Sequence, residues 1–106
     1  MQLVRAKIDV SREEIAAFCQ RNGIKRLALF GSVLRDDFTA ESDVDVIVEF
    51  EPGKTPGLEF ITMQDELSAI YGRIVDLHTF RGVESNPNWL LRNEILNSAE
   101  AVYEQT

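Results

Sequence analysis

Apolar and polar positions follow two distinct rhythms along the chain, and these predict most of its elements. Val44, Val46, Val48 and Phe50 alternate with Asp43, Asp45, Ile47 and Glu49, a period of two over eight residues that predicts a strand with unlike faces. Lys25 to Phe30 is instead a nearly continuous apolar run closed by Gly31, the pattern of a central strand buried on both faces. Upstream, Ser11 and Glu14 have capping-box spacing, and Ile15, Phe18 and Cys19 recur at helical intervals as far as Asn22-Gly23. Asn-Gly is also a hairpin signal, but the period before it is helical, so it reads as the end of a first helix. Pro52-Gly53 and Pro56-Gly57 bracket a loop, and Thr55-Pro56 suits the cap of a second helix running to about Tyr71. Phe60, Met63, Leu67 and Ile70 step by three and four there and form one core-facing stripe. Ile74 to Thr79 predicts a third strand, Asn86-Pro87 opens a third helix carrying Leu91 and Ile95, and Ala101 to Tyr103 suits a short closing strand.

The order is helix, strand, turn, strand, helix, strand, helix, strand. The first two strands are too close in sequence for an ordinary helical crossover, so the expected fold is α+β, a two-layer α/β arrangement with a mixed or antiparallel sheet and helices on one face. No repeat, low-complexity tract or linker divides the chain, and its 106 residues suit one domain, 1–106. Eleven Lys and Arg against eighteen Asp and Glu give a net charge of -7, which argues against direct nucleic-acid binding or a hold on anionic lipid. A single cysteine, Cys19, permits no internal disulfide, and no apolar run approaches the roughly 18 residues a membrane span needs, so a cytoplasmic, non-membrane protein is expected.

The chemistry concentrates in Gly31 to Val48, GSVLRDDFTAESDVDVIV. Asp43 and Asp45 stand two apart on the predicted strand, so their carboxylates leave one face about 7 Å apart along it while the valines pack the other. Like charges this close repel, and a hard, oxygen-seeking cation such as Mg²⁺ or Mn²⁺ removes the conflict. Asp76 lies in the alternating segment Ile74-Val75-Asp76-Leu77-His78 and joins the acidic face if that strand lies beside the second. Three carboxylates can hold two metal ions for phosphoryl or nucleotidyl transfer, with Asp76 placed to accept the nucleophile's proton. Gly31-Ser32 at a strand end offers backbone N–H groups and a hydroxyl for phosphate oxygens, and Arg35 adds a positive charge a turn later. Alone, Asp-x-Asp is usually a solvated surface pair and Gly-Ser usually only a turn; their conjunction with a third strand Asp is much more specific.

Gly31-Ser32, ten residues, then Asp43-x-Asp45 resembles the signature of the minimal nucleotidyltransferases of the polymerase-β-like superfamily. The stretch FGSVLRDDFTAESDVDVIVEFEPG is similar to the small members encoded beside HEPN-domain ribonucleases as antitoxins, and the likeness extends to NPNWLLRNEIL and the final AVYE. One departure is Asp36 after Arg35, where many relatives carry glycine. The resemblance implies a polymerase-β-like palm, with Asp43, Asp45 and Asp76 as catalytic residues and ligands of two Mg²⁺ ions. It further implies ATP as nucleotidyl donor, Gly31, Ser32 and Arg35 as the nucleotide grip, and a tyrosine of a HEPN-domain toxin as adenylyl acceptor.

Two other functions compete with this enzyme. One is a non-catalytic binding module that neutralises a toxin by occlusion; the other is a drug-modifying or RNA-tailing transferase, disfavoured by the short chain and the negative charge. His78 shares the predicted face of Asp76 but suits a hydrogen-bonded surface residue better than a ligand. Lys54 fits a solvated loop better than a triphosphate contact. Trp89, Leu90 and Leu91 make the third helix apolar on more than one side and divide evenly between core and partner. Cys19 and Met63 read as core.

Overall fold

The computed structural model describes residues 11–34, 39 and 42–105. In chain order the elements are α1 (Arg12–Arg21), β1 (Ile24–Phe30), a short 3-10 turn (Gly31–Leu34), β2 (Val44–Phe50), α2 (Glu59–Tyr71), β3 (Val75–Thr79), α3 (Phe80–Glu84), α4 (Trp89–Ser98) and β4 (Glu100–Glu104). One four-stranded mixed sheet has the order β3-β2-β1-β4. β1 runs antiparallel to both β2 and β4, whereas β2 and β3 are parallel, with α2 in the connection between them.

Local chemistry accounts for most boundaries. The Ser11 hydroxyl accepts from the Glu14 backbone N–H at the start of α1, and the helix closes on Asn22. α2 starts later than the Thr55-Pro56 signal suggests: Leu58 stands at its N-cap without a side-chain cap bond, while the Glu59 carboxylate accepts from the Gly57 N–H at 3.0 Å. Gly57 between the proline and the helix favours a turn over propagation, which displaces the start. α4 begins two residues beyond Pro87, where the Asn88 side chain accepts from the Leu91 N–H at 3.2 Å. The short α3 has no counterpart among the predicted helices. Its five residues are too few to show a period, and its cap is Thr79, whose hydroxyl accepts from the Gly82 N–H at 2.9 Å.

The main core lies where α1 and α2 cover one face of the sheet. Ile15, Phe18 and Cys19 of α1 and Met63, Leu67 and Tyr71 of α2 pack on Leu27, Leu29, Val44, Val46, Val48, Val75 and Leu77. Burial alone pushes the Cys19 thiol up to about 12, so it sits in the core as a neutral, unreactive group, and burial raises the Tyr71 phenol as well. The helices expected on one face are α1 and α2, but the sheet also carries a second, smaller helical layer on its other face, so the expectation of helices on one face only is corrected. On the opposite face Ala28, Phe30 and Ile47 meet Val83 of α3, with Phe80 and Ile95, Leu96 and Ala99 at the margin. The all-apolar run of β1 demands that second cover, because residues 27 to 30 are buried regardless of the face they take. Toward the far end of this layer the Arg26 guanidinium pairs with Glu49 at 3.2 Å and stands 4.1 Å from the centre of the Phe80 ring.

Candidate active site

The sheet itself assembles the site. Parallel pairing sets Asp45 of β2 directly beside Asp76 of β3, and antiparallel pairing sets Phe30 of β1 on the other side of Asp45. Neighbouring strands lie about 4.8 Å apart, so two carboxylates in register must confront each other. Two positions further along β3, His78 projects from the same face as Asp76. Ligand atoms of Asp45, Asp76 and His78 all lie within 4.8 Å of one another. Asp45 and His78 are half-buried and Asp76 is exposed. The His78 ring is fixed from the side by Phe30, edge to face, with centroids 5.4 Å apart and planes at 63°.

Asp43 immediately precedes β2, is exposed, and is not one of this group of three. The approach to it is secured by the Val44 N–H, which donates to the Ile74 carbonyl at 2.9 Å, and by the Arg73 guanidinium, which donates to the Thr39 carbonyl at 3.0 Å. Gly31 ends β1 with φ +78° and opens the 3-10 turn containing Ser32. A Cβ at Gly31 would collide with Oδ2 of Asp45, so only glycine lets the turn come this close to the carboxylate. Arg35 lies outside the described residues.

The structure thus brings Asp45, Asp76 and Gly31 together, leaves Asp43 outside the group of three, and adds His78, which the sequence favours as a surface residue. Its signal was the alternation along β3, which puts it on the face of Asp76. Lys54 is placed elsewhere: its stem packs against Gly23, at the opposite end of β1 from Gly31 and about 20 Å of strand away.

Two carboxylates this close repel by on the order of 1 kcal/mol in water-like surroundings, and more as water is excluded. A divalent cation suits them. Asp45, Asp76 and His78 would hold it: the two carboxylates suit a hard cation such as Mg²⁺ or Mn²⁺, and the imidazole is a ligand that zinc also accepts.

A nucleotidyltransferase-domain family model matches residues 12–102, from α1 to β4. The chain belongs to the nucleotidyltransferase-domain family. By enzyme class it is a nucleotidyltransferase, and its mixed sheet with flanking helices is the fold of its structural neighbours. A candidate protein adenylyltransferase of Methanocaldococcus jannaschii is 33% identical over 92 residues, covering 87% of this chain and 94% of that protein. A solved structure described as a candidate minimal nucleotidyltransferase is 35% identical with a TM-score of 0.65, covering 84% of this chain and 86% of that one. At 18% identity the fold is also shared, with a TM-score of 0.60, by a chain of the complex between a Shewanella oneidensis MNT antitoxin and its tri-AMPylated HEPN toxin; the match covers 89% of this chain and 70% of that one. No helix among the described residues is long and apolar enough to cross a membrane.

Proposed function

We propose that this nucleotidyltransferase acts as the antitoxin of a HEPN-domain toxin, moving AMP from ATP onto a tyrosine hydroxyl of that partner. The observation that carries the reading is the lateral pairing of Asp45 with Asp76 directly against the Gly31 turn. The names of the archaeal relative and of the toxin–antitoxin neighbour supply the acceptor class. Asp43, Asp45 and Asp76 would hold two Mg²⁺ ions, with His78 beside them. Bound Mg²⁺ would offset charge on the phosphoryl oxygens. Backbone N–H groups at Gly31 and Ser32, with Arg35 following, hold the triphosphate on the 3-10 turn.

Asp76, at the exposed edge of the group, takes the proton of the incoming tyrosine Oη. The Oη–Pα bond forms as the bond from Pα to the bridging oxygen of the β-phosphate breaks, and pyrophosphate leaves with that electron pair. The acceptor hydroxyl is positioned by the partner protein that carries it. The exposed Trp89 and Leu90 offer apolar surface on the adjoining α4.

Label position tests the reaction type. With the purified HEPN partner and Mg²⁺, ATP labelled at the α-phosphate is expected to mark the partner and ATP labelled at the γ-phosphate is not; EDTA should abolish the signal. Transfer of the γ-label would make the protein a kinase and contradict the reading. Silencing of the partner without either label would favour occlusion.

A further inference from the structure

β3 is an edge strand of the described sheet, five residues long and paired with β2 alone, whereas β2 lies between β1 and β3. Asp45 is therefore flanked by strands on two sides and Asp76 on one, although the site needs both carboxylates in register. The open side of β3 is not bare. The Val75 N–H donates to Ser68 Oγ at 3.0 Å and the Leu77 N–H donates to Gln64 Oε1 at 3.0 Å, and Asp76 is the residue between them. We propose that Gln64 and Ser68 of α2 are positioning residues for Asp76, standing in for the missing neighbour strand and holding the carboxylate in place beside Asp45. The proposal rests on the nucleotidyl-transfer reading above and adds to it residues that lie outside the donor group.

Backbone groups along a strand turn alternately to its two sides. The Ile74 carbonyl accepts from the Val44 N–H of β2, so Ile74 and, two residues on, Asp76 address β2, while Val75 and Leu77 address the open side. The helix matches that spacing. Gln64 and Ser68 stand four apart on α2, about 6.0 Å along its axis, and Val75 and Leu77 stand two apart on β3, about 6.6 Å along the strand. As α2 advances from 64 to 68 its contacts step back from 77 to 75, so helix and strand run antiparallel and are fixed to each other at two points. A slip of β3 by one residue would lose both bonds and turn Asp76 toward the core.

The two side chains are themselves tied down. The Ser68 hydroxyl donates to the Gln64 carbonyl at 2.9 Å, which commits its one proton and leaves its lone pairs for Val75. The Ser68 carbonyl accepts from the N–H groups of Gly72 and Arg73 at 2.9 and 3.2 Å, closing α2 through the left-handed Gly72 and starting the chain toward β3. Met63 and Leu67, beside Gln64 and Ser68 in sequence, anchor the helix in the core. Val75 and Leu77 bury their side chains in that same core, and Asp76 leaves by the opposite face. Gln64 and Ser68 thus act on Asp76 through the backbone of its two neighbours.

The test compares the whole wild-type protein with Gln64→Met and Ser68→Ala, which remove the acceptors but suit a helix, and with Gln64→Glu, which keeps an acceptor oxygen. In metal-free protein the Leu77 amide should exchange its hydrogen ~5-fold faster in Gln64→Met than in the wild type, and the Val75 amide likewise in Ser68→Ala. Mn²⁺, titrated alone and followed by electron paramagnetic resonance, should bind both variants ~3-fold or more weakly, and Gln64→Glu within ~2-fold of the wild type. Affinity decides, because fewer folded molecules would lower the number of Mn²⁺ sites and leave the affinity of each unchanged. Unaltered affinity in both variants, or equal weakening in Gln64→Met and Gln64→Glu, would overturn the positioning role while the metal site stands. Self-association of the variants at unaltered affinity would make the pair a guard of the sheet edge instead. If the wild type itself binds no Mn²⁺, the metal site of the reading beneath falls and this proposal with it.

Discussion

Replacing Asp45 and Asp76 together by asparagine is expected to lower AMP transfer by ~10³-fold or more and to leave the fold intact, with the melting temperature in metal-free buffer unchanged or slightly raised. The two carboxylates stand in register on adjacent strands, within 4.8 Å through their ligand atoms, and neither belongs to the apolar clusters that hold the sheet. Asparagine has the same shape and removes the mutual repulsion, so it costs no packing. What disappears is the charge that would hold a divalent cation and the base that takes the acceptor's proton. Enzyme assay and circular dichroism on the same sample separate the two effects. Loss of the folded spectrum would make the aspartates structural, and unchanged transfer would remove them from the chemistry. Asp43→Asn probes the residue outside the group of three: as a third ligand it should lower transfer strongly too, whereas a role only for Asp45, Asp76 and His78 predicts a mild effect.

The second large effect is expected from Gly31→Ala, and Gly53→Ala is its control. Both glycines have φ near +79°, so an alanine at either costs about 1 kcal/mol or more of backbone strain. Their surroundings differ. A methyl at Gly53 meets nothing within 4 Å, whereas at Gly31 it strikes Asp45 Oδ2. Asp45 then moves or the 3-10 turn retreats, and misplacement on the order of 1 Å near the reacting atoms costs ~10²-fold in rate. Urea titration should therefore show similar losses of stability in both variants, while only Gly31→Ala should lose most of its transfer activity. Equal activity in the two would mean that the closeness of Gly31 to Asp45 does not matter to the reaction.

Much of this arrangement is legible in the sequence, because its strands announce themselves. The two-residue alternation of β2 separates the buried valines from Asp45, and the apolar run of β1 calls for cover on both faces; both are found. The placement of Asp76 followed once β3 was set beside β2, since register then allows little choice. The less legible features depend on contacts between distant segments. α3 is too short to carry a period and is held by Thr79 and by Val83 against Ile47. The start of α2 is decided by Gly57 and Glu59 in preference to the nearer Thr55-Pro56 signal. His78 is ambiguous as a letter; Phe30, from a strand nearly fifty residues earlier, holds its ring beside the carboxylates. Trp89 and Leu90, which the sequence divides evenly between core and partner, lie outside the core with 59% and 64% of their area exposed.

Intact-mass measurement of the partner most directly tests the claim that Asp45, Asp76 and the Gly31 turn transfer AMP to another protein. The purified chain is mixed with the HEPN toxin, ATP and Mg²⁺, alongside the Asp45→Asn/Asp76→Asn variant, and every mass is read before and after incubation. The account predicts one or more AMP increments on the toxin, on a tyrosine, with the wild type only, and no change in the mass of the nucleotidyltransferase. An unmodified toxin whose ribonuclease activity is suppressed equally by the wild type and the double variant would contradict it.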